Sequence, residues 1–401
     1  MAGRDPHEPA RSATPLELLF DLTFVVAFAQ AADQFAHLLA EGHVGAALGG
    51  FAFAMFAICW AWINFSWFAS AYDTDDWFYR VTTMVQMIGV IVLALGLPAT
   101  FHSIDEGVHL ENGVVVAGYV IMRVAMVAQW LRVAGQDARR RRSALTYAGF
   151  TFAAQVGWVA LAVLDLPLAT VSVIVPLFCI IEMGGPVMAE RKSSGTPWHP
   201  HHIAERYGLL AIIALGEGIF GTVAAVAAVV DHEDWSTEVV LVVVAGLGLT
   251  FGLWWNYFML PSGSILARYR NRAWAWGYGH MLIYASIVAT GAGLHVAAYV
   301  IEGVAHIGTL GAILAVAVPV LIFSIALFAL YSYLVREFDR FHILLFAGTV
   351  LMLVGAIALA AGGASLGVCL MIVTLAPAVI VVGYETIGHR HQVAALARAL
   401  A

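Results

Sequence analysis

Long hydrophobic stretches recur along the whole chain and constrain its fold more than any other feature. A helix needs roughly 20 apolar residues to cross the hydrocarbon core of a bilayer, and segments of that length recur from residue 15 to residue 387. We therefore predict an all-α polytopic membrane protein with about twelve transmembrane helices. The predicted spans are 15–39, 46–70, 79–98, 113–133, 144–165, 168–189, 202–230, 237–260, 274–300, 309–334, 341–361 and 365–387.

The composition supports lipid as the main solvent of the chain. Of the 401 residues, 62% are hydrophobic and only 11% are charged, which leaves too little polar surface to cover a water-soluble globule of this size. The net charge of -7 is spread among loops and helices, so no nucleic-acid partner is expected. Cys59, Cys179 and Cys369 lie in apolar runs without CxxC spacing and are interpreted as buried small residues.

The positions of Lys and Arg predict the orientation of the helices. Cations are retained in cytoplasmic loops. With a cytoplasmic N-terminus, every Lys and Arg outside the membrane region, including Lys192, falls on the cytoplasmic side. The opposite loops, such as 231–234 (DHED), carry acids and histidines instead. We therefore predict that both termini are cytoplasmic and that only Arg123 and Arg206 remain within the membrane.

Faint internal similarity predicts two halves of six helices each. WINFSWF in the second span resembles WWNYFML in the eighth, which aligns Asn64 with Asn256, and the third and ninth spans align Gln86 with His280. Six helices per half would give repeats that run in the same direction, as in some transporters. The predicted organisation is a cytoplasmic segment at 1–13, halves at 14–192 and 193–388, and a cytoplasmic tail at 389–401.

Polar side chains inside the predicted spans mark the candidate site. A charge in the middle of a bilayer costs about 2.5 to 3.5 kcal/mol on insertion scales, so such groups persist mainly where they face a polar interior. The deeper acids outnumber the cations, and at least one acid should therefore be protonated or hold a cation. The candidate substrate- or ion-binding residues are Asp21, Glu182, Arg206, Glu217, Glu17, Glu205, Asn64, His280, Asn256 and Arg123.

Several candidates also have a structural explanation. Thr14-Pro15-Leu16-Glu17 has the pattern of a capping box with proline at the first helical position, so Glu17 is either a cap or a site residue. Asp21 follows one turn later, where a second acid repels the first. Arg206 either pairs with Asp21 or Glu182 to let helices pack, or binds an anionic substrate.

The sixth span contains a pattern that favours helix distortion. In Glu182-Met183-Gly184-Gly185-Pro186, glycine and proline predict either a break that frees backbone carbonyls beside a carboxylate or a kink near the helix end. The preceding residues, Asp165 to Pro167, predict a tight turn between the fifth and sixth helices.

The sequence HPHHIAE supplies the most metal-like pattern in the chain. His201 and Glu205 are spaced at i,i+4, and His202 and Glu205 at i,i+3, so His202 with Glu205 is a weak candidate metal pair. Histidines that flank a membrane helix are otherwise interfacial. Aromatic residues such as Trp60 and Trp62 are interpreted as packing residues or interface anchors. No cofactor is predicted.

Two stretches resemble the bacterial low temperature requirement A (LtrA) family. They are ATPLELLFDLTFVVAFAQ at 13–30 and HIAERYGLLAIIALGEGIFG at 202–221, with Leu19 where an aromatic residue is usual, and the resemblance extends over nearly the whole chain. It implies a bacterial membrane protein whose polar residues form one site, and implies no biochemical activity. The matching positions are Glu17, Leu18, Phe20, Asp21, Leu22, His202, Glu205, Arg206, Gly208, Leu209, Ile212, Ile213, Leu215, Gly216 and Glu217.

Two functional hypotheses follow. The first is a proton- or cation-coupled secondary transporter or permease of the bacterial cytoplasmic membrane, with Asp21, Glu182 and Glu217 as proton or cation sites. The alternative is an intramembrane metal- or cofactor-dependent enzyme that acts on a lipid or small amphiphile. The expected partners are the lipid bilayer and a small solute or ion, and the sequence is also compatible with a homo-oligomer.

Overall fold

The structure is a computed structural model that describes residues 3–9, 11–164, 166–191, 195–232, 237–336 and 340–400. Within these ranges the chain is α-helical and contains no β-strand. Asp165, Lys192 and residues 233–234 lie outside them, so the predicted tight turn and parts of two predicted loops fall outside the described residues.

The helices follow one another through mostly short loops. Twelve helical segments in the described ranges are long and apolar enough to cross a membrane, which confirms the predicted fold class and helix number. The α-helices are α1 (Pro15–Glu41), α2 (Val44–Tyr72), α3 (Trp77–Glu106), α4 (Gly113–Gln136), α5 (Arg141–Val163), α6 (Leu168–Glu190), α7 (Pro200–His232), α8 (Thr237–Phe258), α9 (Ser262–Arg268), α10 (Ala273–Ile301), α11 (Thr309–Val335), α12 (Arg340–Ala361), α13 (Leu366–Gly383) and α14 (His389–Leu400).

Two helical segments extend beyond the predicted spans. α3 continues through Pro98 and ends at Gly107, whose left-handed backbone (φ 77°) allows its N–H to bond to the carbonyl of Ser103. At the C-terminus, a π-helical turn at Tyr384–Gly388 connects α13 to α14. The predicted tail at 389–401 is therefore largely a helix.

The chain divides into two units. The first comprises residues 1–34 and 48–206, and the second comprises residues 35–47 and 207–401. The proposed duplication of a six-helix half remains a prediction.

In the first unit, α3 and α4 approach each other at a pair of glycines. A Cβ atom on Gly118 would lie 2.6 Å from the carbonyl oxygen of Gly89 and 2.5 Å from the backbone nitrogen of Leu93. Small residues allow this kind of close approach between membrane helices. The obstructing atoms belong to the backbone, so no side-chain rotation can relieve the clash.

We expect Gly118→Ala to destabilise the protein by about 1–3 kcal/mol, because the added methyl overpacks a backbone contact. Gly135→Ala on the same helix is the matched control, since a Cβ at Gly135 meets nothing within 4 Å. Thermal unfolding of the purified variants in detergent checks the prediction. Equal melting temperatures for the two variants would contradict it.

Asp76 ties the start of α3 to α4. Its carboxylate accepts hydrogen bonds from the Tyr79 N–H at 3.0 Å and from Arg132 at 2.9 and 2.6 Å. The hydrogen bonds from Arg132, with the helix-capping bond, hold the pKa of Asp76 well below its usual value. The ionised carboxylate therefore stabilises the folded protein.

This stabilisation is fully present above the unfolded-state pKa, about 4, and is lost as the pH falls through the lower folded-state pKa. We expect Asp76→Asn to lower the melting temperature at pH 7 and to flatten its decline between pH 5 and pH 3. Asp75→Asn is the control, because Asp75 pairs with Arg80 at an exposed position where ion pairs contribute little. A variant Asp76→Asn with the wild-type pH profile would refute the assignment.

Candidate functional site

The beginnings of α1 and α7 form a buried charged cluster in the first unit. It consists of Glu17, Asp21, His202 and Arg206, which are at most 1% exposed, and is called the Arg206 cluster. Nη1 of Arg206 lies 2.9 Å from Oε1 of Glu17, and Nη2 lies 2.5 Å from Oδ1 of Asp21. One guanidinium therefore serves two carboxylates on successive turns of α1.

His202 and α2 complete the surroundings of these charges. Nε2 of His202 lies 3.2 Å from Oε2 of Glu17, and the indole N–H of Trp62 donates to Oδ1 of Asp21 at 2.7 Å. The guanidinium carbon of Arg206 also lies 5.7 Å from the centroid of the Trp62 ring, within the range of a cation–π interaction. Each charge is thus held by contacts from another helix.

The predicted capping box is confirmed. The Glu17 N–H donates to the Thr14 hydroxyl at 3.3 Å, and the Thr14 N–H donates to Oε2 of Glu17 at 2.8 Å. The second carboxylate oxygen, Oε1, faces Arg206. Glu17 is therefore both a helix cap and a member of the cluster, and its role as a binding residue stays a prediction.

The Arg206 cluster holds more acid than base. Arg206 remains protonated in proteins, while Nδ1 of His202 is buried and makes no hydrogen bond to the described residues. That environment favours a neutral imidazole with its hydrogen on Nε2, facing Glu17. With both carboxylates ionised, the cluster would carry one excess negative charge. Because an uncompensated buried charge is costly, this arrangement supports the prediction that one acid is protonated or holds a cation.

Arg123 and Glu182 form a separate pair in the first unit. Nη2 of Arg123 lies 3.6 Å from Oε2 of Glu182, and the Trp158 indole N–H donates to Oε1 at 2.7 Å. Arg123 and Glu182 are 5% and 8% exposed. Of the two pairings considered for Arg206, the structure contains the one with Asp21, because α4 supplies a different cation for Glu182.

This pair faces a cavity of about 300 Å³, which we call the Arg123 cavity. Nη2 of Arg123 pairs with Glu182 but makes no hydrogen bond to the described residues, so no hydrogen bond from Nη2 closes the ion pair beside the cavity. Asn64 is also on the wall, and its side-chain amide donates to the Trp60 carbonyl at 2.7 Å. The lining residues are Trp60, Asn64, Arg123, Tyr147, Phe150, Thr151, Ala154, Glu182, Gly185 and Pro186.

The predicted break in the sixth helix is wrong. α6 continues through Gly184, Gly185 and Pro186 to Glu190. Proline removes only one intrahelical N–H, the one that would bond to the carbonyl four residues earlier. That carbonyl belongs to Glu182, so a single backbone oxygen loses its helical partner beside the carboxylate while the helix persists.

α2 contributes to both polar groups. Trp62 contacts Asp21 of the Arg206 cluster, whereas Trp60 and Asn64 line the Arg123 cavity. Residues 60 and 64 share a helix face, and residue 62 points about 200° away from residue 60 at 100° per residue. The helix therefore presents one face to each group.

The residues of the proposed metal motif make other contacts. His202 faces Glu17, while Glu205 is exposed and accepts a hydrogen bond from the Ala13 N–H at 3.3 Å. Nε2 of His199 lies 3.0 Å from the Glu8 carbonyl oxygen. A metal site at His202 and Glu205 remains a prediction.

The other candidates lie in the second unit. His280 is 1% exposed, with Nδ1 2.7 Å from the Trp276 carbonyl oxygen and Nε2 3.1 Å from the Tyr257 hydroxyl. Glu217 is buried where α7 crosses α10, and a Cβ on Gly291 would lie 2.6 Å from its carbonyl oxygen. Asn256 is 2% exposed and lines a cavity described below.

The sequence interpretation missed the role of tryptophan in the site. Trp62 and Trp158 each donate the indole N–H to a buried carboxylate, although Trp62 was expected to be a packing residue or anchor. An indole buried in a span needs an acceptor for its only donor. The coexistence of tryptophans and acids in the spans was therefore the available signal.

Twelve membrane-length helices with buried ion pairs define a polytopic α-helical membrane protein. The family model for the bacterial low temperature requirement A protein (LtrA) matches residues 12–377, and the chain belongs to this family. A similar protein is the uncharacterized protein RA0937 of Rhizobium meliloti (strain 1021), which is 26% identical over 301 residues covering 69% of this chain and 67% of that protein. No solved structure matches the chain.

We expect Arg206→Met to destabilise the protein by about 3–5 kcal/mol, because it leaves two buried carboxylates without their cation. Asp21→Asn should cost less, since it leaves Glu17 with Arg206 as a balanced pair. The triple variant Glu17→Gln, Asp21→Asn, Arg206→Met contains no charge in the cluster and should recover part of the stability lost in Arg206→Met. Unfolding free energies in mixed micelles test the order, and a triple variant less stable than Arg206→Met would overturn it.

Proposed function

We propose that the chain is a proton-coupled secondary transporter of the bacterial cytoplasmic membrane, with both termini cytoplasmic. The observation that carries the proposal is the sharing of Arg206 between two fully buried acids, Glu17 and Asp21. Two acids and one permanent cation leave room for one exchangeable proton. A proton site inside the membrane is a recurring part of coupled transporters.

The Arg123 cavity is the proposed solute site. Arg123 and Glu182 present opposite charges on one wall, and no hydrogen bond from the guanidinium Nη2 closes their ion pair. A small zwitterion matches this arrangement, with its carboxylate on Arg123 and its ammonium group on Glu182. The cavity is small, which favours a solute of few atoms.

α2 supplies the proposed coupling between the proton and the solute. Protonation of Asp21 would weaken its hydrogen bond from Trp62, because a bond to an ionised acceptor is the stronger one. Trp60 and Asn64 on the opposite face of the same helix would then be free to shift against the solute. Coupling of this kind requires that proton and solute each favour one of two arrangements.

The proposal also includes partners and a further ion site. The bilayer and a small solute are the partners, and association into a homo-oligomer is compatible with it. Glu217 in the second unit is a further candidate proton or cation site, since it is buried within α7. The intramembrane enzyme remains the alternative prediction, and elemental analysis of the purified protein for bound metal tests it.

Uptake by proteoliposomes tests the proposal. Vesicles loaded with the pH dye pyranine receive radiolabelled glycine, L-alanine, L-glutamate or L-lysine, and we expect a neutral zwitterion to enter with acidification of the lumen. Arg123→Gln and Glu182→Gln should each lower uptake at least tenfold, since each removes one charge of the solute site. Asp21→Asn should preserve solute exchange while abolishing the pH change.

Arg80→Gln is the matched control, because Arg80 is exposed and its ion pair among the described residues is with the exposed Asp75. Loss of uptake in this control would point to a general effect of removing an arginine. Proton-coupled uptake unchanged by Asp21→Asn would refute the assigned proton site. Absence of uptake of all four solutes by folded protein would refute the proposed zwitterion specificity.

A further inference from the structure

A second cavity, of about 520 Å³, lies in the second unit among the ends of α8, α11, α12 and α13 and the helix α14. We call it the Asn256 cavity. Most of its wall is apolar, and no Asp, Glu, Lys or Arg lines it. Apart from the titratable His342, the described lining residues therefore offer a charged ligand no counter-charge. The apolar part of the wall includes Leu327, Phe328, Leu345 and Ile380.

Asn256 is a deeply buried polar side chain in this mostly apolar wall, which also carries Tyr331, His342, Tyr384 and Gln392. Its side chain is 2% exposed, and neither Oδ1 nor Nδ2 has a hydrogen-bond partner among the described residues. A buried amide without partners costs free energy that a well-packed apolar residue would not. Asn256 lines the cavity, so a head group that reaches this amide would give its atoms the hydrogen bonds that they lack.

Water alone is a poor occupant of this cavity. A buried water molecule usually makes two to four hydrogen bonds, and the apolar walls offer few. The neighbouring polar group Gln392 already donates its amide to the Met259 carbonyl at 2.8 Å. An amphiphile satisfies the amide with its head group and the apolar wall with its chain.

The backbone at the cavity is also irregular. Tyr384 and Gly388 belong to the π-helical turn between α13 and α14, and both residues line the cavity. π-helical turns inside helices are found frequently at functional sites. The π-helical turn is a feature independent of Asn256, and it lies on the wall of the same cavity.

We propose that the Asn256 cavity binds an uncharged single-chain amphiphile with a hydroxyl-bearing head group, of which a monoacylglycerol is the closest simple example. One hydroxyl donates to Oδ1 of Asn256 and a second accepts from Nδ2. The acyl chain lies against the apolar wall. This site is distinct from the Arg123 cavity and does not depend on the proposed transport function.

Ligand binding to the full-length protein in phosphatidylcholine nanodiscs tests the proposal. Radiolabelled monooleoylglycerol is the probe, and methyl oleate, which lacks hydroxyl groups, is the competitor. We expect monooleoylglycerol to bind at least tenfold more tightly than methyl oleate. Equal affinities would overturn the proposal, because the apolar wall alone would then account for binding.

Asn256→Leu should change both the affinity for the ligand and the melting temperature. It should weaken monooleoylglycerol at least tenfold and remove the preference over methyl oleate, while raising the melting temperature of the ligand-free protein. The matched control is Gln155→Leu in the first unit, since Gln155 is also buried and both its amide atoms lack partners. This control should raise the melting temperature without changing binding. Unchanged binding in Asn256→Leu would contradict the site.

A second variant keeps the test decisive if Asn256→Leu does not fold. Leu327→Trp should fill the cavity and weaken monooleoylglycerol at least tenfold, and unchanged binding would again contradict the site. Competition with 1-octanol identifies the source of the ligand. Displacement by 1-octanol supports a small free amphiphile, whereas selectivity for monooleoylglycerol supports a lipid drawn from the bilayer.

Discussion

A buried cation is not solvated by water and therefore needs carboxylates beside it. Arg206 has two, Glu17 and Asp21, both on α1. The contacts with Glu17 and Asp21 fix the start of α7 against α1, and Trp62 adds α2 through the same carboxylate. Because separating any one partner exposes an unpaired charge to a medium of low dielectric, the positions of these three helix segments depend on one another.

The same rule operates at Arg123 and Glu182, with a different outcome. Their closest approach is 3.6 Å, and a cavity adjoins them, whereas the Arg206 cluster has contacts as short as 2.5 Å and no solvent exposure beyond 1%. The Arg206 cluster is enclosed, whereas Arg123 and Glu182 adjoin a cavity. α2 contacts both, which makes it the element on which a change at either group would act.

The fold class could be predicted from the sequence because a membrane leaves a chain little choice: its backbone must bond internally, and apolar runs of sufficient length become helices. The cap at Glu17 was equally local. The cation that pairs with Glu182 could not be predicted from local sequence, since it depends on which helix packs beside α6. Continuation of α6 through Pro186 and the roles of Trp62 and Trp158 likewise follow from neighbours that are distant in sequence.

If the Arg206 cluster exchanges a proton, as we propose, the membrane voltage acts on that proton. A proton that travels between water and a site enclosed by the membrane crosses part of the transmembrane voltage, and the full voltage is worth about 2.3 kcal/mol per elementary charge per 100 mV. Occupancy of the cluster would then depend on how strongly the cell is energised as well as on pH. Protonation of this buried cluster at the beginnings of α1 and α7 would in this way report the membrane voltage.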